Sequence, residues 1–267
     1  MDLRQRLCAC TLLTLLGACT IQQAPPAAPL EGHRIVDLTH PFDDHTIYWP
    51  TDTRGFELRE LAHGQTEGGW FYSAYAFCTA EHGGTHLDAP IHFHEDGHAA
   101  DQVPLDRLVG PGIVIDVSAQ AARDPDYRLA PEDLARHESA HGAVPSRAIV
   151  LLRTGWSARW PNVRDYLGDD KPGDASRLSF PSYGEAAARV LVEERGVAVL
   201  GVDTASIDYG RSPDFPVHRL AAARQVVGLE NLTDLDQLPV NGFTVVALPM
   251  KIAGGSGGPV RVIALVP

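Results

Sequence analysis

The sequence predicts an α+β fold: one domain built on a mixed or antiparallel sheet. Three observations predict it. Short β-rich runs, punctuated by Gly, Pro and Asp, recur from Arg34 to Val266. One stretch, Tyr183 to Arg195, shows clear helical periodicity. The regular strand-helix alternation of a doubly wound sheet is missing. At 267 residues, 44% of them apolar, the chain is long enough for one large domain or two small ones and too well mixed to be disordered.

The elements read in order as follows. Arg34 to Thr39 is a short strand, Phe56 to Leu61 a second, and Trp70 to Thr79 an aromatic, alternating third. Gly112 to Val117 and Ala148 to Thr154 are strands, with a helix between them that starts on Pro131 and runs to His137. Residues 157–182 are rich in charge, Pro and Gly and read as an excursion over the surface. Tyr183 to Arg195 is a helix ended by Gly196, and Val197 to Val202 is a fully apolar strand closed by Asp203, which could be catalytic, a helix cap or a partner that orients a ligand, a structural or orienting role being favoured. Phe215 to Arg224 is a short helix carrying His218, and Gln225 to Leu229 is a strand that presents Glu230 and Asn231. Phe243 to Leu248 and Pro259 to Val266 are the last strands, joined through Gly254 to Gly258.

The amino terminus is a separate matter. Arg4 and Arg6, the apolar run Leu7 to Leu16, and Leu16-Gly17-Ala18-Cys19 form a secretory leader. It resembles the lipobox of bacterial lipoproteins, which makes residues 1–18 the leader, Cys19 the lipidated residue, and residues 19–33 a Pro/Ala tether. Thr20 after Cys19 leans toward the outer membrane, so the expected address is periplasmic or cell-envelope. Cys78 is then the one cysteine of the folded domain, and it reads as a small buried apolar residue.

The charge balance is acidic, 22 basic against 34 acidic residues, and removing the leader leaves 20 against 33. Lys and Arg are sparse and scattered, which excludes the basic patch that nucleic acids require. Membrane binding is left to the lipid anchor alone.

The chemistry gathers between His82 and Phe93, His-Gly-Gly-Thr-His-Leu-Asp-Ala-Pro-Ile-His-Phe. His82, His86, Asp88 and His92 each offer a nitrogen or an oxygen to a divalent metal, and that mix suits zinc, manganese or iron. Gly83, Gly84 and Pro90 argue for a tight loop rather than a helix. The plainer reading is a His-rich surface loop, since His94 and His98 continue the run. Trp49, Trp70, Phe71 and Tyr72 are apolar enough for a core and also suit a pocket for a flat aromatic substrate. His33, His40, His45, His63, His137 and His141 carry no visible partner and read as surface residues.

This stretch resembles the His-x-Gly-Thr-His-x-Asp-x-Pro-x-His-Phe signature of the cyclase family, which includes bacterial kynurenine formamidases and isatin hydrolases. Supporting matches are Gly201 to Asp208, His218, Glu230-Asn231-Leu232, Leu248 to Ile252 and Gly258 to Arg261. The resemblance spans about residues 34–267 and implies a swivelling β/β/α domain, commonly a homodimer. It implies that His82, His86 and Asp88 hold one metal, and that Asp88, His92, His218 and Glu230 hold a second in two-metal members. Zinc is usual among the formamidases and manganese among isatin hydrolases. With a single metal, His92 and His218 would be free to move protons and act catalytically.

The implied activity is a metal-dependent hydrolase of C–N bonds other than peptide bonds, with aryl-formamides ranked first and isatin or another cyclic amide second. A lipid-anchored metal-binding module without turnover is the alternative of another class. Gly254-Gly255-Ser256-Gly257-Gly258 matches the serine-hydrolase pattern Gly-x-Ser-x-Gly, but a strand follows where a nucleophile elbow needs a helix. Ser256 is therefore expected not to be a nucleophile.

Overall fold

The computed structural model describes residues 32–52 and 54–267. The leader, Cys19 and the tether up to residue 31 lie outside the described residues. Twelve strands follow in chain order: β1 (Arg34–Asp37), β2 (Glu57–Gln65), β3 (Phe71–Cys78), β4 (His86–Asp88), β5 (Val109–Asp116), β6 (Arg128–Leu129), β7 (Ile149–Arg153), β8 (Ser182–Tyr183), β9 (Val199–Val202), β10 (Val227–Glu230), β11 (Phe243–Pro249) and β12 (Gly257–Val266). The α-helices are α1 (Leu105–Leu108), α2 (Ser118–Ala121), α3 (Pro131–His141), α4 (Val163–Leu167), α5 (Glu185–Arg189) and α6 (Pro216–Ala223).

Eight strands form one mixed sheet in the order β1-β12-β11-β5-β7-β9-β10-β4, and β4 pairs in addition with β12. That pairing closes the sheet into a barrel. β12 is long enough for both duties: Gly257 to Pro259 face β4, while Val260 to Val266 face β11 and β1. The expected mixed sheet is present. The expected lack of strand-helix alternation holds only at the two ends, because β5, β7, β9 and β10 run parallel in the middle, and helices occupy each connection between them.

The parallel strands are buried on both faces, which is why Ile149 to Leu152 read as an unbroken apolar run. Successive side chains alternate between two cores. Ile149, Leu151 and Val199 join Leu87, Leu229, Val245 and Val262 on one side. Val150, Leu152, Leu200 and Val202 pack on the other with Leu134 of α3, Ala187 of α5 and Ala221 of α6. Each fully buried Val or Leu contributes about 1.5–3 kcal/mol. α3 starts on Pro131 as predicted, with the Asp133 carboxylate accepting the Ala130 N–H at 3.0 Å. The helix predicted from Tyr183 begins two residues later, at Glu185, because Tyr183 belongs to β8. It continues as a π-helical turn over Val190–Arg195 and stops at Gly196, whose φ of +64° is left-handed.

Four expectations need correction. Residues 157–182 are not a surface excursion: Tyr166, Leu167, Leu178 and Phe180 are fully buried in a third core with Trp156 and Ile47. Its Pro, Gly and charged residues occupy the turns between these anchors. Trp70, Phe71 and Tyr72 are 63%, 56% and 54% exposed, and Cys78 is exposed, not buried. All four lie on or beside the two-stranded β2–β3 ribbon, which joins no other strand among the described residues. His40, expected at the surface, is buried and stacked on Trp160, with ring centroids 4.2 Å apart.

Candidate active site

The His82–Phe93 segment is a tight structure, as its glycines and proline predict. Gly84 takes a left-handed φ of +57°, and a Cβ there would meet the Phe42 ring at 2.6 Å. The turn aims the Gly84 carbonyl at His86, whose Nδ1–H donates to it at 3.0 Å. That contact leaves His86 Nε2 facing the carboxylates, 3.3 Å from Asp88 Oδ1 and 3.5 Å from Glu230 Oε2. Short strand β4 holds His86, Leu87 and Asp88, and pairing with both β10 and β12 fixes it from two sides. Pro90 then starts a single 3-10 turn that carries His92.

The second half of the site arrives from the far end of the chain. Register pairs Glu230 of β10 with His86 of β4, so adjacent strands place these two side by side. Glu230 Oε1 accepts the Ile207 N–H at 2.8 Å. His218, in the first turns of α6, points its Nε2 at Asp88 Oδ2 (3.3 Å) and Glu230 Oε1 (3.1 Å). Its Nδ1 is held by Asp208 Oδ2 at 2.7 Å, and the same carboxylate accepts the backbone N–H of Val217 and His218 at 3.0 Å. Asp208 therefore orients the histidine and caps its helix at once.

Two groups of potential ligands result, His82-His86-Asp88 and Asp88-His218-Glu230, sharing Asp88. His92, expected in the second group, is not among its members. Its ring instead stacks on His82 with centroids 3.8 Å apart. His94 and His98 belong to neither group among the described residues.

The electrostatics fit a divalent cation. Asp88 and Glu230 are both buried, at 5% and 4% exposure, and no Lys or Arg pairs with either among the described residues. Burial works against ionising Asp88, yet His86, His218 and His82 around it outweigh that and hold its carboxyl well below the usual range. Glu230 is pushed up by burial and by the neighbouring Asp88 charge. Burial disfavours a charged His86, but the Asp88 and Glu230 carboxylates overcome it and raise the ring to about 9. Protons on histidine are thus the available countercharge, and a cation on imidazole and carboxylate ligands replaces them naturally. A hard and borderline donor set without thiolate suits zinc or manganese.

A cavity of about 230 Å³ opens onto the carboxylates and histidines. Its apolar wall is Trp49, Phe93 and Phe215, with Ile47 and Tyr48 beside them. Trp49 lines this cavity, whereas Trp70, Phe71 and Tyr72 do not. Phe93, Phe215 and Asp208 are site residues that sequence reasoning did not assign. Phe93 follows His92 inside the motif, and Asp208 closes a matched motif, so a signal existed for those two. Phe215 had only its position before the His218 helix. His92 lines the cavity, and burial lowers its pKa to about 4.

Ser256 is a surprise of placement. Its hydroxyl lies 2.8 Å from His82 Nε2, and His82 Nδ1 lies 2.6 Å from Asp88 Oδ1. These distances mimic a Ser-His-Asp triad. The hydroxyl proton, however, is donated to Glu81 Oε2 at 2.6 Å, and Ser256 is absent from the cavity lining. β12 begins at Gly257, so no elbow helix follows. Asp203, expected to have a structural or orienting role, accepts from the Thr154 N–H, the Thr154 hydroxyl and the Gly155 N–H, and it is not part of this cavity's lining.

The model of the family named Cyclase matches residues 36–209, more than half of the chain. The chain belongs to the cyclase family. Among cyclase-family relatives, an isatin hydrolase from Roseibium aggregatum is 32% identical over 244 residues, covering 87% of this chain and 92% of that protein. A kynurenine formamidase from Salinibacter ruber is 31% identical over 229 residues, covering 86% and 96%. The solved isatin hydrolase A from Ralstonia solanacearum superposes with a TM-score of 0.80 at 33% identity, covering 88% of this chain and 92% of that one. This cyclase-family chain is a hydrolase, and its candidate metal ligands fall within the span shared with these relatives.

Proposed function

We propose that the protein hydrolyses the C–N bond of a small aromatic amide, with a cyclic amide of the isatin type as substrate. The observation that carries this reading is the pair of ligand groups sharing Asp88 at the floor of an aromatic-walled cavity. The cavity is smaller than the ~300–1,000 Å³ usual for drug-sized ligands, which favours a compact ring system. No Lys or Arg lines it, so a substrate bearing an amino-acid carboxylate finds no cationic partner there. That moves the cyclic amide ahead of the aryl-formamide first expected from sequence. Asp52, also in the lining, favours the second reading, because it could receive the ammonium of an N-formylkynurenine-like substrate.

His82, His86 and Asp88 would hold one divalent cation, zinc or manganese, and Asp88, His218 and Glu230 a second where two are taken up. When bound, such a cation supplies a Lewis acid and lowers the pKa of water toward ~7. Trp49, Phe93 and Phe215 hold the flat ring of the substrate and exclude bulk water from the scissile bond. His218 is committed by both ring nitrogens to Asp208, Asp88 and Glu230. His92 is not, and its half-buried ring, with a pKa lowered to about 4, is neutral at pH 7. It is therefore the group placed to take a proton from the attacking water and return it to the departing nitrogen. An anilide nitrogen leaves readily, because the aryl ring delocalises its lone pair.

The leader and Cys19 support placing the enzyme in the cell envelope as a lipoprotein, with small molecules rather than nucleic acid as partners. The exposed Leu58, Trp70, Phe71 and Phe77 of the β2–β3 ribbon support a homodimer, to be checked by sedimentation. The test of function uses the chain starting after Cys19, assayed on isatin and on N-formylkynurenine before and after chelation, with zinc or manganese restored. Isatin turnover lost on chelation and recovered on readdition is expected. Turnover insensitive to chelator would overturn the reading.

A further inference from the structure

We infer that Glu81 and Ser256 form a relay that fixes the tautomer and orientation of His82, making both of them positioning residues for the cation. The inference rests on the metal-hydrolase reading above and deepens it. The Glu81 carboxylate is doubly anchored: Oε2 accepts the Ser256 N–H at 3.0 Å and the Ser256 hydroxyl at 2.6 Å. With its proton given to Glu81, Ser256 Oγ presents only lone pairs to His82 Nε2, 2.8 Å away. The ring nitrogen there must then be the donor. His82 consequently donates through Nε2 and keeps Nδ1 on the Asp88 side, 2.6 Å from Oδ1, where a bound cation would take the Nδ1 lone pair in place of the proton shared with Asp88.

The barrel closure places the relay. β12 pairs with β4 so that Gly257 lies opposite Asp88, and the Ala89 N–H donates to the Ser256 carbonyl at 2.9 Å. The glycine after the serine is required: a Cβ at Gly257 would meet the Leu87 carbonyl at 2.4 Å and His82 Cε1 at 2.6 Å. His92 stacks on the ring face. The imidazole is thus gripped at Nε2, at its Cε1 edge and on one face, with Nδ1 left toward the ligand group. Outer hydrogen bonds of this kind set ring orientation and ligand basicity, and losing one typically costs about 10–100-fold in metal affinity. The sequence Gly-Gly-Ser-Gly-Gly, which mimics a nucleophile motif, finds its purpose here as a loop that lets one hydroxyl approach one histidine.

The test compares the parent with Ser256→Ala, Glu81→Gln and Ser256→Thr, all as folded protein. Zinc affinity is measured by competition with a chromophoric chelator, and the His82 ring nitrogens are followed by 15N NMR on the metal-free protein. Ser256→Ala is expected to lose about 10–100-fold in zinc affinity and to shift the His82 ring signals, with an unchanged melting midpoint of the metal-free protein. Ser256→Thr, which restores the hydroxyl, recovers most of the affinity, and Glu81→Gln lies between. At saturating zinc, Ser256→Ala still turns substrate over, at a reduced rate. Parent-like zinc affinity and unshifted ring signals in Ser256→Ala would overturn the relay while leaving the metal reading intact. Abolished turnover at full zinc loading would overturn it in favour of a nucleophilic serine. A parent that takes up no zinc or manganese would sink the metal reading itself.

Discussion

His218 Nε2 lies 3.3 Å from Asp88 Oδ2 across 130 residues of chain. That approach joins the two ligand groups through one carboxylate, so Asp88 has a share in everything the site holds. Asp88→Asn keeps the shape and removes the charge. It is expected to abolish uptake of zinc or manganese, measured as metal content after dialysis, and hydrolysis with it. His86→Ala should do the same. Full metal content in Asp88→Asn would show that the carboxylate is not a ligand.

Asp208 offers a subtler test, because it both orients His218 and caps α6. Asp208→Asn keeps an acceptor for the Val217 N–H but turns an amide toward His218 Nδ1, favouring the wrong tautomer. Metal affinity should fall by about 10–100-fold with little change in melting midpoint. Asp208→Ala should lose the cap as well, adding roughly 1 kcal/mol of destabilisation. Equal metal affinity in Asp208→Asn and the parent would remove Asp208 from the site.

His92 separates chemistry from binding. His92→Phe preserves an aromatic face against His82 but has no nitrogen to carry a proton. We expect metal content close to the parent and kcat lower by about 10²–10⁴-fold. Loss of metal with the loss of rate would instead make His92 a ligand, as the resemblance allowed.

The site was legible in the sequence wherever residue type and spacing carry chemistry by themselves. His82, His86 and Asp88 sit within one short segment, and His218 and Glu230 could be matched from afar. What the sequence could not show was which side chains the tertiary pairing brings to them. Ser256 meets His82 only because β12 closes on β4. Phe215 meets Trp49 only because residues between β9 and α6 fold over the cavity. Strands buried on both faces declared themselves as apolar runs, whereas the ribbon β2–β3 looked like a core element because its aromatic residues, exposed in this chain, carry the same hydrophobic signal. The segment from 157 to 182 failed in the opposite sense, its few buried aromatic anchors being outnumbered by turn residues.

His40, which belongs to neither ligand group, gives a pH dependence of its own. Burial lowers its pKa from 6.5 to about 4, so the unfolded chain binds this proton more readily than the folded one between those values. Its contribution is fully present above pH 6.5 and is lost as pH falls toward 4, amounting to at most about 3 kcal/mol. His40→Phe keeps a ring against Trp160 and removes the titration. Denaturant melts of the metal-free protein should therefore show the parent losing more stability than the variant between pH 7 and pH 4. Parallel pH profiles would assign the loss elsewhere.

Tyr166 tests whether the segment after β7 is part of the site's scaffold. Its hydroxyl, fully buried, donates to Asn231 Oδ1 at 3.0 Å with the Asp203 carbonyl at 3.2 Å. Asn231 in turn donates from Nδ2 to the Gly84 carbonyl at 2.7 Å, the same oxygen that receives His86 Nδ1–H. Tyr166→Phe leaves Asn231 Oδ1 buried without its donor, at a cost of about 1–3 kcal/mol. For a domain of this size that lowers the melting midpoint by roughly 2–4 °C per kcal/mol. Because Asn231 adjoins Glu230 and steadies the turn behind His86, metal affinity should fall measurably too, though less than in Asp208→Asn. A variant with lowered melting midpoint and parent-like metal affinity would confine Tyr166 to packing and detach the segment from the site.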